Sequence, residues 1–315
     1  MSHSPVVFLL GPTACGKTAC SIQVAKRLNA EIVSVDSALI YKGMDIGTAK
    51  PDMQERDGIA HHLIDLCHPD QAYSVARFCD DALDAIAQIQ SRDKLALLTG
   101  GTMLYFNALE KGIASLPNAN PEVRAALSAE AANTSWPAMH EKLALVDPVA
   151  AQRIHPNDPQ RLQRALEVHQ LTGQALTELQ KNTKSFLPVP PVKFSLIPDS
   201  RSWLHERIER RFSLMLDSGF LDELQRLMDA YSLHDKMPSM RSVGYRQAWQ
   251  YLAGDIDKDA MIAKAEAATR QLAKRQITWI RSMDKLNAVS CDMLELDEQV
   301  AQIVSTCHEQ FRSVK

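Results

Sequence analysis

Residues 11–18 combine residue types and a spacing that bind phosphate. They fit the pattern G-x-x-x-x-G-K-[ST] through Gly11, Pro12, Thr13, Ala14, Cys15, Gly16, Lys17 and Thr18. In such a loop the backbone N–H groups converge on phosphate oxygens, the lysine adds a positive charge, and the last hydroxyl is a ligand for Mg²⁺. The pattern therefore predicts a phosphate-binding loop with a Mg²⁺ ion at Thr18, and it leaves the reaction open.

The elements that must position this loop are a strand before it and a helix after it. Residues 6–10 form an apolar run that predicts a buried strand, and a helix is expected at about 17–28. Further short strands are predicted at 31–35 and 95–98, with a helix at 75–89 between them. Strands that alternate with helices predict the α/β class, here a P-loop NTPase-like parallel sheet flanked by helices.

Asp36 and Thr102 lie just after the second and third predicted strands. Because ligands of parallel α/β sheets bind beyond the carboxyl ends of the strands, both side chains are expected near the phosphate loop. Asp36 could organise Mg²⁺, act as a general base, or cap the turn that follows it. The spacing alone does not choose among these three roles.

The character of the chain changes at about residue 115. Ala-rich helical segments separated by prolines occupy 115–187, and a proline-rich connector then leads into a strand at 193–197. Long helices are expected at about 201–230, 241–253 and 258–282. We therefore predict a catalytic core made of residues 1–114 and 188–315, interrupted by an all-helical insertion at 115–187.

Composition and charge exclude several classes of protein. With 315 residues, 45% of them hydrophobic, the chain is globular rather than disordered or collagen-like. A net charge of −3 disfavours general polyanion binding, but residues 270–285 hold five basic residues against one acidic residue. Arg270, Lys274 and Arg281 recur there at near-helical spacing, and Trp279 is predicted on the opposite face.

Targeting and metal-binding signals are weak. The sequence shows no leader and no apolar run long enough to span a membrane, and its six cysteines form no Cys-x-x-Cys pair, so a cytoplasmic protein with reduced thiols is expected. His61, His62, Cys67 and His68 cluster without a second ligand pair at a zinc spacing, so we do not predict a zinc site.

Several motifs resemble those of the bacterial tRNA dimethylallyltransferase family. They occupy residues 33–51, 100–105, 155–167, 241–247 and 269–279 and are joined to the phosphate loop. The resemblance implies transfer of the dimethylallyl group of dimethylallyl diphosphate to the exocyclic 6-amino group of the adenosine at tRNA position 37, with release of diphosphate. It implies Mg²⁺ as cofactor and the tRNA anticodon stem-loop as partner, which the insertion would clamp, and we expect a monomer.

The resemblance also implies roles for individual residues. Asp36 would be the base, and Lys17, Thr102 and Arg211 would act at the diphosphate and the reacting centre. The tRNA contacts would come from Asp36, Ser37, Ala38, Leu39, Thr102, Arg124, Gln160, Arg161, Leu162, Gln163, Arg164, Arg241, Ser242, Val243, Gly244, Tyr245, Arg246, Lys274, Arg275, Gln276, Ile277, Thr278, Trp279, Ile280 and Arg281.

Three other functions remain open at the level of the residues. A P-loop small-molecule kinase would fit the loop, but the strand at 95–98 ends in Thr-Gly-Gly-Thr rather than in an acidic residue for Mg²⁺. Prenyl transfer to free adenylate would keep the chemistry without the RNA. A non-catalytic RNA-binding module would leave the phosphate loop unexplained.

Overall fold

The computed structural model describes residues 5–312. Within that range a six-stranded sheet has the order β3-β2-β4-β1-β5-β6, and every neighbouring pair of strands is parallel. The strands are β1 (Val7–Leu10), β2 (Ala30–Val35), β3 (His61–His62), β4 (Leu95–Gly100), β5 (Val192–Ile197) and β6 (Leu286–Ser290). The predicted α/β class with a parallel sheet is confirmed.

Helices connect and cover the strands. They are α1 (Lys17–Arg27), α2 (Val75–Gln90), α3 (Met103–Lys111), α4 (Pro121–Thr134), α5 (Trp136–Val146), α6 (Pro148–Arg153), α7 (Pro159–Thr172), α8 (Leu176–Leu179), α9 (Arg201–Asp217), α10 (Phe220–Ala230), α11 (Tyr245–Leu252), α12 (Lys258–Arg281) and α13 (Leu296–Arg312). Among the helices of residues 5–312, none is both long and apolar enough to cross a lipid bilayer.

The phosphate loop follows the best-protected strand of the sheet. All four residues of β1 are fully buried, because β4 and β5 flank the strand and helices cover it. The carboxyl ends of β2 and β4 lie at the same edge, with Val35 opposite Gly100. The residues that follow these three strands are therefore brought together, as expected for a parallel sheet.

The structure differs from the prediction in five elements, which are the strands β3 and β6, the helices α3 and α13, and the helix predicted at 201–230. Strands β3 and β6 were not predicted, since β3 has two residues and β6, with the sequence LNAVS, mixes polar and apolar residues. The helix predicted at 201–230 is two helices, α9 and α10. Gly219 separates them with φ 91°, a left-handed conformation that suits glycine and ends a helix.

The chain divides into two compact units. One comprises the residues up to Glu110 and those from Phe186 onward, and the other is Lys111–Ser185, compared with the predicted insertion at 115–187. The second unit is all-helical and has its own apolar core, which includes Leu127, Leu143 and Leu162. Its role in tRNA binding stays a prediction.

A buried carboxylate organises the helical unit. Glu167 on α7 is fully buried, and it accepts hydrogen bonds from Arg124 Nε at 2.8 Å, Arg164 Nη1 at 2.7 Å and Asn120 N at 2.8 Å. Burial raises the pKa of this carboxyl group, but the two guanidinium groups outweigh burial and hold it at about 2, against an ordinary value of 4.5. The ion pairs therefore stabilise the folded unit.

Glu167→Gln is expected to reduce the stability of the helical unit at neutral pH. Because the pKa is depressed on folding, the stabilisation is complete above pH 4.5 and is lost as pH falls towards 2. The ionised Glu167 carboxylate contributes on the order of 3 kcal/mol to the free energy of unfolding. Urea unfolding at several pH values should give a variant with lower stability at pH 7 and a flatter pH profile. The control is Glu130→Gln, which breaks an exposed pair with Lys142. Equal pH profiles for Glu167→Gln and the unsubstituted protein would contradict this role.

Candidate active site

The phosphate loop lies between β1 and α1. Gly16, at the start of α1, has φ 93°, so the loop turns through a left-handed residue before the helix begins. A Cβ atom on Gly11 would lie 2.7 Å from Cys15 Sγ and 2.9 Å from Leu196 O, so glycine is required there. Lys17 Nζ donates to Pro12 O at 2.5 Å, which places its charge over the loop. This geometry matches a loop that surrounds phosphate oxygens with N–H groups.

Asp36 and Thr102 are held side by side beyond β2 and β4. Asp36 Oδ1 accepts from Ala38 N at 2.8 Å and from Leu39 N at 3.4 Å. Thr102 Oγ1 accepts from Ser37 N at 3.0 Å. Within residues 5–312 no hydrogen bond engages Asp36 Oδ2. One carboxylate oxygen therefore caps the turn while the other can accept a proton.

Two arginines on α9 extend the positive charge of the site. Arg207 Nε donates to Ala14 O of the phosphate loop at 2.8 Å, and its guanidinium lies 4.7 Å from the centre of the Trp203 ring. Arg211 Nη2, one turn later, donates to Thr48 O at 3.1 Å. Burial lowers the pKa of Arg211, and the negative charge of Asp36 opposes that shift. Arg211 therefore lies within electrostatic reach of the carboxylate.

A buried glutamate fixes the loop that holds Arg211. Glu223 on α10 accepts hydrogen bonds from three consecutive amides, Asp45 N at 2.9 Å, Ile46 N at 2.7 Å and Gly47 N at 3.1 Å. Tyr245 Oη donates to the same carboxylate at 2.5 Å, and burial together with this negative charge raises the pKa of Tyr245. The glutamate thus sets the position of the carbonyl that Arg211 contacts.

The thiol of Cys15 is perturbed by its neighbours. Burial raises its pKa, but the hydrogen bond with Cys291 and the positive charge of Lys17 outweigh burial and lower the pKa below its ordinary value. Cys15 Sγ lies 3.8 Å from Lys17 Nζ. Cys291 and Lys17 are therefore the two neighbours that favour the charged form of this thiol.

Comparison with known proteins identifies the family. The family model described as IPP transferase matches residues 39–283. A tRNA dimethylallyltransferase of Alkalilimnicola ehrlichii is 56% identical over 288 residues, which cover 89% of this chain and 91% of the relative. The chain belongs to the IPP transferase family.

Solved structures of IPP transferases have the same fold. A tRNA isopentenylpyrophosphate transferase of Bacillus halodurans is 35% identical, with a TM-score of 0.74 and coverage of 98% of this chain and 97% of that one. A tRNA delta(2)-isopentenylpyrophosphate transferase of Staphylococcus epidermidis is 31% identical, with a TM-score of 0.70 and coverage of 97% and 99%. A eukaryotic dimethylallyltransferase acting on tRNA is 28% identical, with a TM-score of 0.82 and coverage of 98% and 80%.

Helix α12 carries a basic surface in this IPP transferase. Lys274, Arg275, Thr278 and Trp279 are exposed and, together with Gln271, line a groove of about 380 Å³. Trp279 is 40% exposed and stands one turn after Arg275, about half a turn around the helix from Arg270 and Arg281, so its predicted place opposite that stripe stays a prediction. An exposed aromatic ring on the same surface as cations is suited to stacking on a base while the cations contact phosphates.

Other predicted tRNA contacts fall into an exposed and a half-buried set. The exposed residues are Ser37, Gln160, Arg161, Arg241, Arg246 and Arg281. The half-buried residues are Asp36, Ala38, Leu39, Thr102, Ser242, Val243 and Ile277. Arg270, part of the predicted basic stripe, pairs with Glu209 at 3.1 Å and Glu266 at 3.7 Å, so its charge is largely compensated.

Some predicted side-chain contacts with tRNA are corrected by burial. Leu162, Tyr245 and Ile280 are fully buried and pack in the core. Gly244, which precedes Tyr245 in the chain, is buried as well. Arg124 and Arg164 direct their guanidinium groups at Glu167, as described above, and Gln163 Nε2 donates to Arg124 O at 3.0 Å and Ser128 Oγ at 2.8 Å. The four buried residues therefore do not offer side chains to RNA, whereas contacts of Arg124, Gln163 and Arg164 with tRNA stay predictions beside their structural bonds.

The sequence does not predict three contributions to the site. They are Arg207, Glu223 and a structural role for Gln276. Arg207 and Arg211 stand four residues apart on one helix, a spacing that places them on one face, and this was the available signal. No sequence pattern marks Glu223, because its partners are backbone amides far away in the chain. The resemblance places Gln276 among the tRNA contacts, but it is only 8% exposed.

The fit of Mg²⁺ to the site depends on Thr18. Its side chain is exposed at the first turn of α1, and in residues 5–312 no hydrogen bond engages its hydroxyl. The same part of the chain contains no cluster of three His, Cys, Asp or Glu residues that could hold a metal. Mg²⁺ commonly binds through substrate phosphates, water and one or two protein oxygens, so a single hydroxyl beside a diphosphate is an adequate donor set.

The histidines near residue 65 have separate partners. His61 Nδ1 lies 2.9 Å from Ile59 O, and His62 Nε2 lies 2.7 Å from Glu31 Oε2. His68 Nδ1 lies 2.9 Å from Tyr231 Oη. Each ring therefore has a local structural contact.

Proposed function

We propose that this enzyme transfers the dimethylallyl group of dimethylallyl diphosphate to the exocyclic 6-amino group of adenosine 37 of tRNA. The observation that carries the proposal is the meeting of the phosphate loop and Asp36 at one edge of the sheet, with Arg207 bonded to the loop, in a member of the IPP transferase family. Such an edge can bind a diphosphate and deprotonate a nucleophile at the same place.

The diphosphate is the leaving group of the reaction. As the bond between its oxygen and the allylic carbon breaks, negative charge grows on the diphosphate. The loop amides and Lys17 would stabilise that charge, and Arg207 and Arg211 add two further cations. A Mg²⁺ ion held by Thr18 Oγ and by diphosphate oxygens would supply additional positive charge.

The adenosine amine is a weak nucleophile because its lone pair is delocalised into the ring. A bond forms between this nitrogen and the allylic carbon, and the nitrogen must lose a proton. Asp36 Oδ2 would accept that proton, since Oδ1 is engaged by backbone amides. Thr102 would hold the turn at Ser37 in place beside Asp36, the general base.

Recognition of tRNA would use both units of the chain. The target base must leave the stack of the anticodon loop to reach Asp36, as in other enzymes that act on a base. The α12 groove offers Lys274 and Arg275 to phosphates and Trp279 to a base. In the helical unit, Gln160 and Arg161 are exposed candidates for contacts with the stem-loop. We place the enzyme in the cytoplasm, acting as a monomer.

The test is product analysis with competing acceptors. The protein is incubated with Mg²⁺, labelled dimethylallyl diphosphate and either unmodified tRNA or AMP, and the labelled nucleoside is identified after digestion. Label on the tRNA adenosine next to the anticodon is expected. Label on AMP alone would support an adenylate prenyltransferase, and hydrolysis of added ATP without prenyl transfer would support a kinase-like enzyme.

Lys274→Ala is expected to weaken tRNA binding and to reduce its salt dependence. A phosphate contact contributes about one unit to the slope of log affinity against log salt concentration. Filter binding at several salt concentrations measures this slope. Lys264→Ala is a matched control, because Lys264 is exposed on the same helix outside the groove. An unchanged slope for Lys274→Ala would show that the residue makes no phosphate contact.

A further inference from the structure

Gln276 lies on the buried side of α12, against the two loops of the active site. Its Oε1 accepts a hydrogen bond from Thr13 N of the phosphate loop at 2.9 Å. Its Nε2 donates to Gly101 O at 2.9 Å. One carboxamide thus joins the loop that would bind diphosphate to the loop that carries Thr102. We propose that Gln276 is a positioning residue that sets the distance between these two loops for the transfer reaction.

The close approach of the amide depends on Gly101. A Cβ atom at this position would lie 2.4 Å from Gln276 Nε2, so any larger residue would displace the amide from the carbonyl. Gly101 immediately precedes Thr102, whose hydroxyl accepts from Ser37 N beside Asp36. A continuous set of contacts therefore runs from the phosphate loop through Gln276 and Thr102 to Ser37 and the neighbouring Asp36.

The chemistry of the contact requires an amide. Thr13 offers an N–H donor and Gly101 offers a carbonyl acceptor, so the side chain between them must accept one hydrogen bond and donate another. A carboxamide has both groups, whereas an ionised carboxylate only accepts and a thioether does neither well. At 8% exposure the site gives water little access, so an unmatched group would lose its partner outright.

This role differs from a direct contact with RNA. Lys274 and Arg275, just before Gln276, are exposed in the groove, whereas the Gln276 side chain is covered. Removing the carboxamide should therefore change diphosphate binding and turnover and leave tRNA affinity unchanged. Loss of a buried hydrogen bond of this kind corresponds to about a tenfold change in the dissociation constant of diphosphate.

The first experiment compares Gln276→Met with a matched control. Gln299→Met is the control, since Gln299 is 7% exposed and its Nε2 donates to a backbone carbonyl, Leu294 O, at 2.8 Å, outside the site. Calorimetry measures binding of inorganic diphosphate with Mg²⁺, and filter binding measures affinity for unmodified tRNA. For Gln276→Met the dissociation constant of diphosphate should rise about tenfold and kcat should fall, with tRNA affinity within about twofold of the unsubstituted enzyme. Gln299→Met should change none of the three.

The second experiment uses Gln276→Glu and pH. The ionised carboxylate repels Gly101 O, but a protonated carboxyl group can donate to that carbonyl while its other oxygen accepts from Thr13 N. Burial raises the pKa of such a carboxyl group. The ratio of kcat for the variant to kcat for the unsubstituted enzyme should therefore rise as pH falls from about 8 to about 6. A ratio that stays constant over this range would contradict the positioning role, and melting temperatures measured at the same pH values separate it from a loss of folded protein.

The proposal rests on the proposed function, and the two can fail separately. If the unsubstituted enzyme does not prenylate tRNA, the proposed function fails, while the diphosphate measurement still tests the link between the loops. If the unsubstituted enzyme is active and Gln276→Met keeps its diphosphate affinity and kcat, the positioning role is overturned. Loss of tRNA affinity with unchanged diphosphate binding would overturn it as well and would favour a direct RNA contact.

Discussion

Asp36→Asn will lower the rate of dimethylallyl transfer by about 10²- to 10⁴-fold, the contribution of a positioned general base. The asparagine carbonyl can still accept from Ala38 N and Leu39 N, so the turn after β2 should keep its shape. The amide nitrogen in place of Oδ2 cannot take a proton from the adenosine amine. Single-turnover measurements with prebound tRNA and excess dimethylallyl diphosphate isolate the transfer step.

A second substitution at the same position separates catalysis from capping. Asp36→Ala loses both the base and the cap, so it should be as inactive as Asp36→Asn and also less stable, by about 1 kcal/mol for the lost cap. Affinity for tRNA should change little in Asp36→Asn. Turnover close to that of the unsubstituted enzyme in Asp36→Asn would remove Asp36 as the base and leave only the capping role.

The positions of Asp36 and Thr102 could be predicted from the sequence for a physical reason. Each follows a short apolar strand, and parallel strands bring their carboxyl ends to one edge of the sheet. The register of Val35 with Gly100 is what brings the two residues together. The phosphate loop could be predicted for the same reason, because strand, loop and helix are contiguous in the chain.

The contributions of helices far along the chain could not be predicted in this way. Arg207, Glu223 and Gln276 reach the site or its loops through tertiary packing, and their partners are backbone atoms of Ala14, of residues 45–47, and of Thr13 and Gly101. Backbone partners leave no residue-type signal in the sequence. Such contacts become visible only when the packing of α9, α10 and α12 is known.

Charged residues also look alike in sequence whether they bind RNA or another side chain. Arg124 and Arg164 have the residue type and spacing of phosphate contacts, yet Glu167 holds both. Lys274 has no such partner in its groove among the residues that the structure describes. The difference lies in one buried carboxylate, whose position on α7 relative to α4 depends on helix packing.

Lys17→Met is expected to reduce kcat/KM for dimethylallyl diphosphate by about 10²- to 10³-fold, the effect of removing one group that stabilises developing charge. Methionine keeps most of the length of the side chain, so the loss reports on the charge. The ammonium lies 2.5 Å from Pro12 O and 3.8 Å from Cys15 Sγ, inside the loop. Affinity for inorganic diphosphate should fall with kcat/KM, whereas tRNA affinity should not.

Lys26→Met is the matched control for this charge. Lys26 lies on the same helix and pairs with Asp57, so its removal changes the net charge equally without reaching the loop. If Lys17→Met and Lys26→Met were equally active, the charge of Lys17 would not act on the diphosphate, and the loop amides with Arg207 and Arg211 would have to stabilise the leaving group. Two guanidinium groups held by the carbonyls of Ala14 and Thr48 are oriented by the loops they contact. They supplement the charge of Lys17, and the proposed reaction needs both sources because the charge on the departing diphosphate grows on several oxygens at once.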